Sequence, residues 1–147
     1  MKGSRFLTFA YPVTLTADKV DGGYVVTCRD VPEVVTQGEA IEDAISEAEG
    51  ALEAAIEMRI EDGLDIPAPS AKKRSEHLAR VPINTAMKAA VYVSMREQNV
   101  SKAELAGRLG LDEKETRRML DPKHGTKVPA LERALHALGK RIELVVV

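Results

Sequence analysis

Tryptophan is absent from the sequence and aromatic residues are few: three Tyr and two Phe make up 3% of its 147 residues. The apolar fraction is nevertheless 44%, which is usual for a globular protein. The sequence therefore predicts a folded chain whose core is built from Ile, Leu, Val and Ala. Its length suits one medium domain or two small ones.

Cysteine and long apolar runs are also scarce. Cys28 is the only cysteine, so no disulfide can form within the chain, which suits a reducing cytoplasm. It lies in the apolar run Tyr24–Cys28, where a small core residue is a better interpretation than a nucleophile. No segment approaches the roughly 18 consecutive apolar residues of a membrane span, and no export signal is visible. We expect a cytoplasmic protein that does not bind a membrane.

Motifs of enzyme chemistry are missing as well. The sequence contains no glycine-rich phosphate loop and no serine nucleophile motif. Its three histidines, His77, His124 and His136, are too far apart for a metal-ligand motif, and we interpret His136 as a structural residue. The sequence thus predicts no catalytic residue, no metal and no cofactor, and it indicates a binding protein.

Each half of the sequence concentrates charge of one sign, although the whole chain has a formal charge of only −2. Residues 1–70 contain five Lys or Arg and fourteen Asp or Glu, a formal charge of −9. Residues 71–147 contain sixteen and nine, a formal charge of +7. A basic half suits a polyanion, and an acidic half suits a basic protein or a solvated surface. The split predicts two modules with different partners.

The first half predicts an antiparallel sheet with one helix. Strands are expected at 11–16, 24–28, 34–36 and 77–83. Asp21–Gly23 predicts the turn of the first hairpin. Apolar residues recur at helical spacing from Ile41 to Ile56, so a helix is expected at 39–61, with acids on its outer face. Gly63 is expected to cap its C-terminal end.

The second half predicts a helical domain. Helices are expected at 85–98, 101–109, 112–120 and 129–138. Prolines near 63–75 predict a linker, so the sequence divides into a domain of residues 1–83 and a domain of residues 84–147. The tail 141–147 has the composition of a strand. Because a lone exposed apolar strand promotes aggregation, we expect this tail to pair within the chain or with its copy in a homodimer.

The segment 101–120 has the pattern of a helix-turn-helix. Ser101 and Asp112 are each followed three residues later by Glu, which is the capping box that starts a helix. Gly110 between them accepts the left-handed backbone angles of a tight turn. Two helices at this spacing form the unit whose second helix enters the major groove of DNA. The alternative is a helical hairpin such as any small helical domain contains.

Basic residues on this unit are the candidates for DNA contact. Arg and Lys can bind guanine in the major groove or hold phosphates, and a helix N-terminus can hold a phosphate through its N–H groups. The predicted DNA-binding residues are Ser101, Lys102, Lys114, Arg117, Arg118, Lys123, His124 and Lys127. Negative charge lies at the N-terminal end of the second helix, where it would approach the bases, on Asp112, Glu113 and Glu115. These acids are either helix caps that face away from DNA, or Glu113 accepts a hydrogen bond from cytosine.

Motifs in both halves carry a family resemblance. They are Tyr24–Pro32, Val35–Gly38, Ala44 in the helix, Asp65–Ser70, Glu104–Ala106, Leu109–Gly110, Leu120–Thr126, Leu131–Glu132 and Ala137–Lys140. Together they resemble the HicB antitoxins of type II toxin–antitoxin systems. The resemblance covers most of the chain, and the two halves in this order are more specific than the C-terminal motif alone.

The resemblance implies an α+β protein with a partial, ribonuclease-H-like N-terminal fold that has no activity, and a C-terminal helix-turn-helix domain with a terminal strand. It implies that the first domain binds and blocks a small basic ribonuclease toxin, HicA. It also implies that the second domain forms a homodimer, with higher assembly open, and represses its own operon on double-stranded operator DNA. An acidic surface would steer a basic toxin onto itself. The predicted toxin-binding residues are Asp30, Glu33, Glu42 and Asp43.

Two other functions stay open. A solitary transcriptional repressor would use the N-terminal domain to sense a small molecule or to set the oligomeric state. A metal-dependent nuclease would need carboxylates that converge from different elements within a few ångströms, and residues 11–16 contain none. Asp18 and Asp21 are better explained as hairpin-turn residues, and Glu42, Asp43 and Glu47 as a solvated helix face.

Overall fold

The computed structural model describes residues 6–147, and its N-terminal part is a four-stranded antiparallel sheet. The strands are β1 (Ala10–Ala17), β2 (Tyr24–Thr27), β3 (Val35–Gly38) and β4 (His77–Arg80). Their spatial order is β3-β2-β1-β4, with antiparallel pairing between neighbours. The predicted strands of the first half are therefore confirmed. Met1–Arg5 of the predicted first domain lie outside the described residues.

The turn between β1 and β2 is fixed by local chemistry. The Asp18 carboxylate accepts the backbone N–H groups of Val20 at 3.0 Å and Asp21 at 3.1 Å. Gly22 and Gly23 adopt φ values of 78° and 75°, which side chains with a Cβ rarely adopt. The register pairs Ala17 with Tyr24 next to this turn. Asp18 therefore acts as the hairpin-turn residue that the sequence predicted.

Helix α1 (Ile41–Glu61) follows β3 and packs on one face of the sheet. Its buried side chains recur at helical spacing and are Ala44, Ala48, Leu52, Ala55 and Ile56. Ile41 is 42% exposed, so the prediction that it belongs to the apolar stripe was wrong. The residues of the first turn are all exposed, and burial begins only at Ala44. Gly63 follows the helix with a φ of 69°, which confirms it as the residue that ends α1.

The core beneath α1 is mostly aliphatic, as the composition predicts, with Tyr11 as its one fully buried aromatic residue among the described residues. Tyr11, Val13 and Val26 from the sheet are fully buried against the helix. Cys28 is a free, buried thiol in the same cluster, which confirms its interpretation as a small core residue. Burial raises the pKa of this thiol above its usual value, so its nucleophilic thiolate form is disfavoured.

The segment between α1 and β4 is hydrogen-bonded to the N-terminal unit at Pro67 and Ser70. The Tyr11 hydroxyl donates to the Pro67 carbonyl at 2.7 Å. The Asp30 carboxylate accepts the N–H of Ser70 at 2.8 Å and its hydroxyl at 2.6 Å. Pro67 and Ser70 therefore lie in a segment that packs as part of the N-terminal unit.

The C-terminal part is helical. Its helices are α2 (Ile83–Gln98), α3 (Lys102–Leu109), α4 (Glu113–Leu120) and α5 (Val128–Ala137). The four predicted helices are confirmed to within two residues at each end. Residues 141–147 form no strand and are exposed, so the prediction of a strand paired within this chain was wrong. A strand needs a partner edge for its backbone hydrogen bonds, and pairing with a second copy stays a prediction.

Helix α2 contributes to two hydrophobic cores. Ala89 packs into the core of the sheet and α1. Met87, Val91 and Met95 pack into a second core with residues of α3, α4 and α5. Sequence periodicity predicts one buried face through Ala86, Ala90 and Val93, with Met87 as a further candidate. Met87 is buried, but the other three residues are only half-buried. The prediction of a single buried face was wrong because the helix lies between two cores and buries more than one side.

No helix within residues 6–147 combines the length and the apolar character that crossing a bilayer requires.

Candidate functional site

The starts of α3 and α4 are fixed by their own side chains. The Ser101 hydroxyl accepts the backbone N–H of Glu104 at 3.0 Å, and the Asp112 carboxylate accepts that of Glu115 at 2.7 Å. Gly110 ends α3 with a φ of 67°. These contacts confirm both predicted helix starts and the glycine turn. They also show that the Asp112 carboxylate acts as a helix cap.

The inner side of the α3–α4 pair is packed. Leu105, Ala106 and Met119 are buried, and Thr116 is buried with its hydroxyl donating to the Asp112 carbonyl at 3.0 Å. These side chains hold the two helices against α2 and α5. The opposite side of α4 is therefore left facing solvent.

The predicted DNA-binding residues lie on this solvent side. All of them are exposed: Ser101, Lys102, Lys114, Arg117, Arg118, Lys123, His124 and Lys127. Within residues 6–147, Lys123 is the one member of this set that forms an ion pair, with Glu61 at the end of α1, where Nζ and Oε2 are 3.5 Å apart. Ser101, Lys102 and Arg117 border one cleft, which the end of α1 closes on its other side.

The predicted toxin-binding residues fall into two kinds. Glu33 forms a two-bond ion pair with Arg59, at 2.7 and 2.8 Å, and Arg59 holds the pKa of this carboxyl below its usual value. Asp30 is bonded to Ser70, as described above. Glu42 and Asp43 are exposed in the first turn of α1. The structure thus gives two of the four residues an internal partner and leaves the other two at the surface.

Sequence reasoning missed an ion pair between Arg29, two residues after β2, and the buried Glu76, which directly precedes β4. Glu76 has a side chain that is only 4% exposed and accepts from Arg29 Nε at 2.8 Å and Nη2 at 3.0 Å. It also accepts the backbone N–H of Lys73 at 2.8 Å. The hydrogen bonds from Arg29, followed by that from Lys73, lower the pKa of Glu76 to about 2. No local sequence pattern marks this pair, because its members are 47 residues apart.

Lys88 on α2 was also missed. Its side chain is buried, and its ammonium group donates to the backbone carbonyls of Asp121 and His124 in the loop after α4. A signal was present in the sequence. Lys88 precedes Val91 and Met95 by three and seven residues, which is the spacing of one buried helix face.

The structure separates the carboxylates that a nuclease would use. Asp18 is engaged in the β1–β2 turn and Asp30 in a contact with Ser70. Glu42 and Asp43 lie on the exposed start of α1. In the part of the chain that the structure describes, no three His, Cys, Asp or Glu side chains are grouped closely enough to hold a metal ion together.

His136 was predicted to be structural, and this prediction was wrong. The residue lies on the outer side of α5 and is exposed, while Ala134 and Leu135 next to it are buried. A histidine between two apolar residues suggested a core position. On a helix, however, adjacent residues point in different directions, and only a spacing of three or four residues keeps one face.

Comparisons with known proteins agree with this architecture. Residues 10–90 match the model of a family described as the HicB-like antitoxin of bacterial toxin–antitoxin systems. The chain is 38% identical over 137 residues to antitoxin HicB of Escherichia coli K12, covering 93% of this chain and 99% of that protein. It is 37% identical to antitoxin HicB 2 of Photorhabdus laumondii over 93% of this chain and 96% of that protein. It is 35% identical to antitoxin HicB of Pseudomonas fluorescens over 99% and 98% of the two chains. The chain therefore belongs to the HicB-like antitoxin family.

Proposed function

We propose that this protein is an antitoxin that binds and neutralises a HicA-type ribonuclease toxin and represses its own operon by binding operator DNA. The observation that carries the proposal is the presence of two oppositely charged surfaces on one folded chain. Acids line the outer side of α1, whereas residues 101–127 expose seven Lys or Arg against five Asp or Glu. The names of the relatives support the antitoxin part. The protein acts by binding, without a cofactor and without catalysis.

Helix α4 is the reading helix in this proposal. Its exposed cations Lys114, Arg117 and Arg118 are available to base edges or phosphates, because within residues 6–147 none of them forms an ion pair. The major groove admits an α-helix, and Arg can bind the O6 and N7 atoms of guanine with two hydrogen bonds. The caps at Ser101 and Asp112 fix where the two helices begin, and two short helices joined by a tight turn suit entry of the second into the major groove.

Helix α3 and the loop after α4 supply phosphate contacts. The Ser101 cap uses the N–H of Glu104, which leaves the N–H groups of the first helical residues, beginning with Lys102, for an anion. The Lys102 side chain adds a full positive charge at the same place. Lys123, His124 and Lys127 extend the basic surface along the loop. Such contacts carry affinity but no sequence preference.

The acidic surface of α1 is the proposed docking site for the toxin. Glu42 and Asp43 are exposed at its start and Glu47 follows one turn later. Asp30 and Glu33 hold neighbouring segments through Ser70 and Arg59. Because Arg59 lies in the last turn of α1, Glu33 extends the proposed surface toward the other end of the helix from Glu42 and Asp43. A basic ribonuclease would be attracted to this surface, which raises the association rate and the specificity of binding.

The exposed tail supports a homodimer. Leu144, Val145, Val146 and Val147 are all more than 70% exposed, and consecutive exposed β-branched residues favour pairing with another strand. Deleting Leu144–Val147 should lower the dimer fraction measured by sedimentation equilibrium. The control is Met58→Ser, which removes an exposed apolar side chain of α1 and should leave the fraction unchanged. A truncated protein that stays fully dimeric places the interface elsewhere.

The toxin part is tested by co-expression with a short basic protein encoded next to this gene. The expected result is a complex that survives purification and a host that keeps growing. Neutralising the acidic surface by Glu42→Gln with Asp43→Asn should slow association. Neutralising two acids of the other half, by Glu132→Gln with Glu143→Gln, should not. A basic neighbour that is neither bound nor neutralised ends the antitoxin proposal.

The repressor part is tested by titrating the DNA upstream of the gene, with a scrambled duplex as control. Tighter binding to the upstream sequence supports repression. If DNA binds but no toxin partner exists, the protein is a solitary repressor. Cleavage of RNA or an RNA–DNA hybrid with magnesium, lost on Asp18→Asn or Asp30→Asn, would instead make it a nuclease.

A further inference from the structure

Lys88 is a charged residue in a position that proteins usually fill with an apolar one. It lies in the middle of α2 between buried Met87 and Ala89, and it is only 3% exposed. Lysine is rarely buried to this extent unless its ammonium group is paired. Burial lowers the pKa of Lys88, while the carboxylates of Asp121 and Glu57 oppose that shift. A buried ammonium that costs desolvation energy needs an explanation other than core packing.

The hydrogen bonds of Lys88 all reach the same loop. Its ammonium group donates to the carbonyls of Asp121 and His124, 33 and 36 residues further along the chain. Inside that loop, the His124 N–H donates to the Asp121 carbonyl at 3.0 Å, and the Lys123 N–H donates to the Asp121 carboxylate at 2.9 Å. Lys88 therefore holds both ends of a tight turn from below, through atoms of the backbone.

The upper side of the same turn faces solvent. Lys123, His124 and Lys127 are exposed there, and they are the loop residues proposed above to contact phosphates. A side chain that fixes the backbone beneath them also fixes the spacing between their charges. Groups held in one geometry lose less conformational entropy on binding than groups on a mobile loop.

We propose that Lys88 is a positioning residue for DNA binding: it holds the loop from Asp121 to Lys127 in the conformation that presents its cations to the phosphate backbone. The proposal rests on the proposed binding of operator DNA. It does not require Lys88 to contact DNA. It assigns the buried charge a role in the geometry of the loop, whereas a purely structural lysine would affect only the stability of the fold.

The test compares two variants of Lys88 with a control on the same helix. Lys88→Met keeps the apolar stem and removes the donors, and Lys88→Gln keeps an N–H donor on a shorter side chain. The control is Thr85→Val, which removes another buried polar group of α2. The Thr85 hydroxyl donates to the Glu53 carboxylate on α1 at 3.0 Å. The control costs stability but leaves the loop untouched.

The first measurement is hydrogen exchange of the His124 amide in the free full-length protein. Lys88→Met should speed this exchange by about tenfold or more, because the turn then opens without global unfolding. Lys88→Gln should restore part of the protection, and Thr85→Val should retain the wild-type rate. Unchanged protection in Lys88→Met overturns the proposal, whether or not the protein binds DNA.

The second measurement is operator affinity against salt concentration, far below the unfolding temperature and corrected for the active fraction. Lys88→Met should weaken binding about tenfold near 0.1 M salt and make the slope of log K against log salt shallower by about 0.9 for each lost phosphate contact. A loss that only follows the active fraction, with the wild-type slope, overturns the proposal. If the wild-type protein binds no operator, the proposed repressor function fails and the exchange measurement alone decides the role of Lys88.

Discussion

The sheet unit and the α3–α4 pair use their positive charges in opposite ways. In the sheet unit, Arg29 and Arg59 are bonded to the carboxylates of Glu76 and Glu33. On α4, Arg117 and Arg118 are exposed, and neither forms an ion pair within residues 6–147. Arg29 and Arg59 thus support the fold of the sheet unit, whereas Arg117 and Arg118 remain exposed at the surface of α4. Within the described residues, the difference lies in whether an arginine already has a carboxylate partner in its own chain.

The comparison also separates charges that stabilise the fold from charges that are available for binding. A buried, two-bond pair such as that of Glu76 and Arg29 fixes where a segment lies, because breaking it leaves a buried charge unpaired. An exposed cation contributes little to folding and stays available for binding. We therefore expect loss of Arg29 or Glu76 to alter stability and loss of Arg117 or Arg118 to alter binding.

The largest expected effect is a loss of folding stability when a buried side chain is truncated in the core of the sheet unit or in the core of the helical unit. Leu52→Ala in the first core and Leu131→Ala in the second each remove a fully buried side chain, and each should lower the free energy of unfolding by about 2–5 kcal/mol. Because α2 packs in both cores, either change should destabilise both units. Hydrogen exchange of β1 and α5 amides in both variants measures this, and a loss of protection confined to one unit would separate the two.

A smaller effect is expected for operator binding. Arg117→Ala should weaken binding by about 1–3 kcal/mol if the side chain contacts a base, with the loss greatest on the preferred sequence. Arg118→Ala is expected to behave alike. Lys102→Ala and Lys123→Ala should weaken binding to all sequences equally and flatten the salt slope. Titrations on two duplexes at several salt concentrations check this. Unchanged binding in all four variants would show that the DNA-contacting surface is misassigned.

An effect of pH is expected in the sheet unit. Glu76 has a pKa lowered from 4.5 to about 2 by Arg29 and by the Lys73 N–H, so its stabilising contribution is present above about pH 4.5. That contribution is lost as the pH falls from about 4.5 towards 2, because protonation then removes the charge that Arg29 binds. Glu76→Gln should therefore have a shallower dependence of Tm on pH in this range. The same dependence in both proteins would contradict the assigned cause.

The smallest effect is expected where the two regions meet. Glu61→Gln removes the exposed partner of Lys123, so stability should change by less than about 1 kcal/mol. Operator affinity should rise by up to about threefold, because Lys123 no longer has to break its ion pair with Glu61 before it binds a phosphate. The control is Asp62→Asn on the same turn, which removes an equal charge that pairs with no cation in residues 6–147. Equal gains from both changes would assign the effect to net charge rather than to the pair.

The features that could be predicted from the sequence are those whose causes are local. Ser101 and Asp112 cap helices through N–H groups three residues away, and Asp18 closes a turn within the same few residues. The exposure of Arg117 and Arg118 followed from the periodicity of α4.

The features that could not be predicted depend on distant residues. Glu76 can be buried because the fold places Arg29, 47 residues away in the sequence, next to it. Lys88 can be buried because carbonyl groups 33 and 36 residues away accept its hydrogen bonds. Pairing of the tail within the chain could not be predicted for a related reason, since a strand is defined by its partner and no described residue forms a strand with residues 141–147.

Helix α2, which packs in both cores, makes the folding of the two units interdependent. A protease that cuts the exposed residues between Ala71 and Ser75 would sever the chain but leave the halves joined through α1 and α2. Removal of either half would expose apolar side chains of α2 that its own half cannot cover. Under the proposed function, degradation of either half would therefore end toxin binding and operator binding together, so that loss of old antitoxin would itself restart synthesis of the new.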